Sequence, residues 1–269
     1  MPKVSLIISF YNRIDYLKLV FAGIERQSFS DFEVIIADDG SRSEIVEELE
    51  KMLNQVSFRS LHVWHEDKGF RKNRILNRAI EVSEADYLIF IDGDCVPHKE
   101  FINEHLNNSE LKFALTGRRV NLSEKITSQL SPEKIRSGFL ENCTTKLLLD
   151  GIFGKSFDVE KGFYFQSKFF RNFFNSKARG LLGCNFSIHK KDLLEINGFD
   201  ERYEAPSVGE DSDVQFRLEL NGIKIRSLNN IAVQYHLYHK IQPRPQKNLD
   251  LFEKIKMEGR HCTPFGINQ

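Results

Sequence analysis

Tyr87-Leu88-Ile89-Phe90-Ile91-Asp92-Gly93-Asp94 is the stretch that decides the fold. Five consecutive apolar residues predict a strand buried on both faces, which is the habit of parallel sheets covered by helices. The run stops abruptly at two carboxylates flanking a glycine. Two earlier runs behave the same way. Val4–Phe10 (VSLIISF) ends in Tyr11-Asn12-Arg13, and residues 32–37 (FEVIIA) end in Asp38-Asp39-Gly40-Ser41. Between them lie amphipathic helical patterns over residues 14–27, 44–53 and 72–82, with a short strand at 61–64. This alternation predicts an α/β fold with a parallel sheet and helices on both faces. Ligands of such sheets bind beyond the carboxyl ends of the strands. Three polar clusters therefore converge on one rim.

Composition narrows the function classes. Lys+Arg and Asp+Glu are equal at 38 each, so no net field favours a polyanion, and nucleic-acid binding is not expected. No apolar run approaches the ~18 residues of a membrane span. The N-terminus runs directly into a strand without the basic and cleavable regions of a signal peptide, which reads as cytosolic. Cys95, Cys143, Cys184 and Cys262 are widely spaced, which argues against a zinc ribbon or a disulfide framework.

From about residue 120 to 177 the alternation breaks down, and eight phenylalanines fall between Phe153 and Phe174. A second ordered block begins at Gly180 and runs to about His239, followed by a short tail. The expected divisions are 1–118, a variable Phe-rich insert at 119–179, a second half of the same domain at 180–242, and a tail at 243–269.

Asp92-Gly93-Asp94 suits a hard divalent cation, Mn²⁺ or Mg²⁺, which takes oxygen ligands and keeps places for substrate phosphates. The glycine allows a sharp turn and close backbone approach. At the second strand, Asp38 or Asp39 can accept hydrogen bonds from a base or ribose, while an Asp-Gly turn needs an Asp for itself. Gly209-Glu210-Asp211-Ser212-Asp213 opens a helix, where acids are electrostatically favoured. A carboxylate held there also suits a general base, with Asp211 the candidate and Glu210 a contact to sugar hydroxyls. His236 and His239 could complete a metal's coordination from the far side, His239 being preferred. In Lys68-Gly69-Phe70-Arg71-Lys72-Asn73-Arg74, basic residues at a helix start suit a diphosphate, with Arg71 and Arg74 as individual candidates.

In order, SFYNR, ADDGS, GFRKNRILNRAI, IFIDGD, LLGCNFSIHKKDLLEINGFDE, GEDSDVQFRL and YHLYHK resemble a family 2 glycosyltransferase of the GT-A fold. The second half is similar to the galactosyltransferase-type C-terminal module of chondroitin polymerase-like and bacterial surface-polysaccharide enzymes. The resemblance covers about residues 3–118 and 180–240. It implies a mostly parallel central sheet flanked by helices, a nucleotide-sugar-binding first half and an acceptor-side second half. It implies an inverting, metal-dependent hexosyl- or N-acetylhexosaminyltransferase. The donor would be a nucleoside-diphosphate sugar, most naturally a UDP-sugar, and the acceptor a glycan or lipid-linked oligosaccharide of lipopolysaccharide or capsule synthesis. Carried over residue by residue, Tyr11 and Asp39 would contact the nucleoside base and Asp92 would lie near the ribose and metal; Phe10, Arg13, Gly69, Arg71, Arg74 and Gly93 complete the expected donor site. Asp94, with Asp92, His239 and His236, would hold the metal, and Asp211 would be the base with Glu210 beside it. Relatives often carry a Gly-Trp-Gly run before Gly-Glu-Asp, where this chain has Ala205-Pro206-Ser207-Val208.

Residues 168–177 (KFFRNFFNSK) interleave aromatics with cations, as interfacial segments do, so peripheral contact at the inner membrane face is a further expectation. Packing of these phenylalanines as core is the competing one. Two other function classes compete. A sugar nucleotidyltransferase needs a glycine-rich basic loop after the first strand, which SFYNR is not. A non-catalytic sugar-nucleotide-binding subunit would have lost the acids, and they are present.

Overall fold

The structure, a computed structural model, describes residues 1–153, 155–175, 179–206, 210–240 and 245–268. The four apolar runs form β1 (Val4–Phe10), β2 (Phe32–Asp38), β3 (Arg59–Trp64) and β4 (Tyr87–Asp92). They are joined by α1 (Ile14–Ile24), α2 (Ser43–Leu53) and α3 (Lys72–Val82). Then come β5 (Cys95–Pro97), α4 (Phe101–Asn107), β6 (Phe113–Thr116) and β7 (Arg118–Asn121). Four short helices follow, α5 (Glu124–Thr127), α6 (Pro132–Arg136), α7 (Phe139–Asn142) and α8 (Thr144–Ile152), and then α9 (Lys168–Phe174). The chain returns through β8 (Asn185–His189), α10 (Lys190–Glu195), α11 (Glu210–Leu220), β9 (Lys224–Ser227), β10 (Val233–His236) and α12 (Gln246–Glu258).

Seven strands make the main sheet in the order β3-β2-β1-β4-β8-β6-β9. β8 pairs antiparallel with both β4 and β6, and the other pairings are parallel. Because alternate residues point to opposite faces, Leu6 and Ile8 of β1 join one core with α1, while Ile7 joins the other with α3 and α11. All three are fully buried, and cutting any of them to alanine costs about 2–5 kcal/mol. The first helix stops at Ile24, short of the expected residue 27. There the Gln27 side-chain amide leaves the helical course and donates to the Gly23 and His98 carbonyls at 3.1 and 2.9 Å.

A second, three-stranded sheet, β5-β10-β7, lies beyond the rim. Asp92-Gly93-Asp94 is the step by which the chain leaves β4 for β5, so the motif sits where two sheets meet. Gly117 makes the same step from β6 to β7. Asn185 locks that junction, its side-chain amide donating to the carbonyls of Arg118 and Ala232, each at 3.0 Å. The segment where the strand–helix alternation was expected to break down holds α5 to α8, whose Ile126, Ile135, Leu140 and Leu147 are buried in the α1-side core. The phenylalanines of α9 do not form core: Phe169 and Phe173 are 72% and 66% exposed.

Candidate functional site

The carboxyl ends of β1, β2 and β4 do converge. They border a cavity of about 590 Å³ lined by Phe10, Tyr11, Arg13, Asp39, Gly69, Asp92, Gly93, Asp94 and His239, all expected from the sequence. The turn after β1 is tied to the turn after β2: Asn12 N–H donates to the Ser41 hydroxyl, and Arg42 N–H to the Asn12 side chain. Asp38 and Asp39, both buried, differ in their partners and in which of them lines the cavity. Asp38 is fully buried and accepts from Ser41 N–H at 2.8 Å and from the His62 ring at 3.0 Å, which makes it the turn former. Asp39 faces the cavity, accepting from the His65 ring at 2.8 Å and from Arg71 N–H at 2.9 Å. Tyr11 donates its hydroxyl to Asp67 at 3.0 Å. Arg13 stacks on Tyr16 at 3.7 Å and pairs with Asp15 at 3.0 Å, so its charge is already engaged.

The basic stretch before α3 divides differently from the expectation. Arg71 offers its backbone N–H to Asp39, and its side chain does not line the cavity. Arg74 turns away, its Nε 3.9 Å from Glu201. Lys72 is the cation that enters the site. Its Nζ lies 2.9 Å from Asp92 Oδ1 and 3.2 Å from Glu210 Oε1, bridging the two halves of the chain. A sequence signal for this existed. Lys72 shares a helix face with the buried Ile75, Leu76 and Ala79, whereas Arg74 does not. Burial opposes the Lys72 charge, but Asp92, Glu210 and Asp211 overcome it and hold the ammonium well above the ordinary lysine range.

Asp92 also accepts from the Ser9 hydroxyl at 2.6 Å. Burial would raise its carboxyl, and Lys72 outweighs that to hold it low. Gly93 donates its N–H to the Ser9 carbonyl at 2.8 Å, and a Cβ there would stand 3.1 Å from that same oxygen. Close approach to β1 is therefore one reason for glycine at this position. Asp94 faces two histidines. Its Oδ2 is 3.5 Å from His236 Nε2 and 3.3 Å from His239 Nε2, and the two Nε2 atoms are 3.1 Å apart. Burial disfavours the Asp94 charge, yet the bonds to His236 and His239 hold its carboxyl far below the ordinary range. His239 is raised in turn by Asp94.

These atoms fit a divalent cation. His239 Nδ1 lies 2.9 Å from the Lys240 carbonyl and so carries a proton, and a cation that displaced the proton from Nε2 would find its lone pair directed at Asp94. The Asp94 carboxylate, Cys95 Sγ and His236 Nε2 form one group of possible ligands, with Sγ 3.4 Å from Asp94 Oδ1, and His239 Nε2 stands 3.3 Å from the same carboxylate. In the sequence Cys95 stood only as one of four widely spaced cysteines; its place beside this group was not foreseen.

Across Lys72 stand the acids of α11. Glu210 is pushed up to about 7 by burial, with Asp211 and Asp92 adding to the rise and Lys72 opposing it. Its Oε2 is buried without a hydrogen-bond partner among the described residues. Burial likewise raises Asp211, whose Oδ2 accepts the Gly183 N–H at 2.9 Å. A Cβ at Gly183 would meet Asp211 Oδ1 at 2.1 Å, so only glycine lets this carboxylate rest on the backbone. Asp213, two residues on, has a structural part: fully buried, it pairs with Arg217 at 2.6 Å. Of the Ala205-Pro206-Ser207-Val208 stretch and the Gly209 that follows it, residues 207–209 lie outside the described residues.

Residues 5–169 match the family model of glycosyl transferase family 2. The chain belongs to this family. Residues 165–240 match a second model, the N-terminal domain of galactosyltransferase. As a family 2 member it is similar to the chondroitin synthase of Escherichia coli, 26% identical over 87% of this chain and 34% of that protein. It is similar also to YfnE of Bacillus subtilis, an uncharacterized glycosyltransferase, 27% identical over 88% of this chain and 65% of that one. The chain thus spans about a third of the first relative's length and under two thirds of the second's. Among solved structures it resembles S. aureus TarS, with a TM-score of 0.60 at 16% identity over 95% of this chain and 39% of that one. A shorter form of TarS with UDP-GlcNAc bound gives 0.58 at 17%, covering 95% of this chain and 66% of that one. The fold is accordingly GT-A, with the mostly parallel sheet flanked by helices. No helix among the described residues of this family 2 chain is long and apolar enough to cross a membrane.

Proposed function

We propose that the chain is an inverting glycosyltransferase. It moves a hexosyl or N-acetylhexosaminyl group from a UDP-sugar to a hydroxyl of a glycan or lipid-linked acceptor, in bacterial lipopolysaccharide or capsule synthesis. One observation carries this reading. The Lys72 ammonium lies between Asp92 on the nucleotide-side rim and Glu210 beside Asp211, so donor-side and acceptor-side acids meet at one centre. Family membership and the presence of UDP and UDP-GlcNAc in structures of TarS support a nucleotide-sugar donor.

Asp94, Asp92, His236 and His239 would hold Mn²⁺ or Mg²⁺, which when bound would neutralise the departing diphosphate. Tyr11 and Asp39 would orient the base at the far end of the cavity. Lys72 adds positive charge where the diphosphate oxygens gain negative charge. The acceptor hydroxyl attacks the anomeric carbon from the face opposite the diphosphate, and its proton passes to the Asp211 carboxylate. The bond to the diphosphate breaks as its electron pair leaves on the phosphate oxygen. The Gly183 N–H holds Asp211 in one orientation for that transfer. A second assignment of the base, to Glu210, is favoured by its unpartnered Oε2 and by its displacement to about 7.

A screen of UDP- and GDP-sugars for Mn²⁺-dependent binding and slow hydrolysis tests the reading and names the donor. Asp94→Ala should abolish the Mn²⁺ dependence, and Asp211→Asn should remove transfer while leaving donor binding. Retained turnover in both variants overturns these assignments. Transfer surviving Asp211→Asn but lost in Glu210→Gln moves the base to Glu210. Helix α9, with Phe169 and Phe173 exposed beside Lys168, is the part we assign to peripheral contact with an anionic membrane.

A further inference from the structure

We infer that the acceptor carries an anionic group, a carboxylate or a phosphate, and that Arg118 and Arg179 bind it; this rests on the glycosyltransferase reading above. The segment 179–184 is the seat of the argument. Three successive amides of this segment are pinned from below: Leu181 N–H to Gln215, Leu182 N–H to the Thr116 hydroxyl, and Gly183 N–H to Asp211. It is therefore a fixed shelf, and its end carries the carboxylate assigned as the base.

The other end of the shelf is strongly basic. Arg118 Nη2 donates to the Gly180 carbonyl at 2.8 Å, which sets its guanidinium against the residue that follows Arg179. Its Nη1 is turned to the Gly117 carbonyl at 2.8 Å and the Thr116 hydroxyl at 3.3 Å. Arg179 Nε is buried with no hydrogen-bond partner among the described residues. Among the described residues neither arginine bonds to a carboxylate. The acids whose charge reaches them are engaged elsewhere, Asp158 with Asn121 at 3.1 Å and Glu160 with Lys161 at 2.7 Å. Burial and the charge of Arg179 together push the Arg118 guanidinium below the ordinary arginine range.

Two half-buried guanidinium groups, near enough that the charge of Arg179 depresses Arg118 and with no carboxylate bonded to either among the described residues, leave positive charge that an anion would offset. A planar, bidentate anion supplies that offset, and arginine forks match carboxylate and phosphate oxygens. Arg119 does not share this part. It lies among Asp92, Asp94 and Asp211, with Nη1 3.2 Å from Cys184 Sγ, and balances their charge. An acceptor anchored by its anion on Arg118 and Arg179 would lie along the 179–184 shelf toward Asp211. A uronic acid residue or a sugar phosphate has that chemistry, and a neutral hexoside has not.

The test is calorimetric titration of the chain with three probes of similar size: a hexuronide, a hexose phosphate and a neutral hexoside. Transfer from the donor found in the sugar-nucleotide screen is measured alongside. Binding of the hexuronide or the phosphate at least tenfold tighter than the neutral hexoside, reduced about tenfold by Arg118→Gln or Arg179→Gln, is the expected result. The tighter of the two anionic probes identifies the source. The affinity for the anion should also fall as KCl is raised, and that for the hexoside should not. Equal binding of all three probes, or an anion preference that survives both substitutions, overturns the inference. UDP-sugar binding and hydrolysis report separately on the transferase reading, so a chain that binds the anion but turns over no donor refutes that reading alone.

Discussion

Replacing Glu210 by glutamine should change the pH dependence of stability in a defined direction. The folded chain raises this carboxyl from its ordinary 4.5 to about 7, with burial the largest cause. Between those two values the folded state holds a proton that the unfolded state has released, so stability falls as pH rises. The contribution is complete below about pH 4.5 and is lost by the time pH passes the folded value. At about 1.4 kcal/mol per tenfold in proton affinity, the loss is about 3 kcal/mol. The side chain is 13% exposed, too little for solvent to screen most of this. Glutamine cannot titrate, so the loss disappears with it. Urea denaturation of both proteins, from pH 4.5 to 8 in EDTA, reads the effect as a difference that grows with pH. The variant should gain about 3 kcal/mol on the parent across the range, whatever the offset at pH 4.5. An offset that stays constant across that range would falsify the claim that Glu210 is protonated in the folded site at neutral pH.

Three other variants probe two parts of the site and helix α9. Lys72→Met leaves Asp92 and Glu210 without their shared cation; the limb of the rate profile that reports Glu210 should move above pH 7, and an unmoved limb refutes the bridge. Gly183→Ala should displace Asp211 by steric contact, lowering kcat about 100-fold while UDP-sugar affinity, measured calorimetrically, changes little. Equal losses in both would mean that the shelf serves the donor. Phe169→Asp with Phe173→Asp should abolish sedimentation with anionic liposomes at low salt; a parent chain that does not sediment rules out α9 as a membrane contact.

Most of the nucleotide-side rim was legible in the sequence because its elements are local. Strands buried on both faces must be continuously apolar, so their ends are marked by the first charges, at Tyr11-Asn12-Arg13, Asp38-Asp39 and Asp92-Gly93-Asp94. Period-3.6 patterns located the helices for the same reason. The remote candidates, Asp211, His236 and His239, were legible only as residue types suited to a base and to a metal, a reading the family resemblance reinforced; the structure brings them to the same rim from more than 100 residues away.

What the amino-acid order determined by itself was the α/β alternation, the rim and the identity of most acids on it. Which of two adjacent residues faces the cavity was decided only by tertiary structure, because burial and hydrogen-bond direction depend on neighbours distant in the chain. Asp38 differs from Asp39 through His62 and Ser41, and Lys72 differs from Arg71 through Glu210. The displacement of Glu210 to about 7 arises the same way, since its causes are burial and charges from three separate segments. The Nε of Arg179, buried without a partner among the described residues, too, becomes visible only when the shelf from 179 to 184 is folded against Thr116, Asp211 and Gln215.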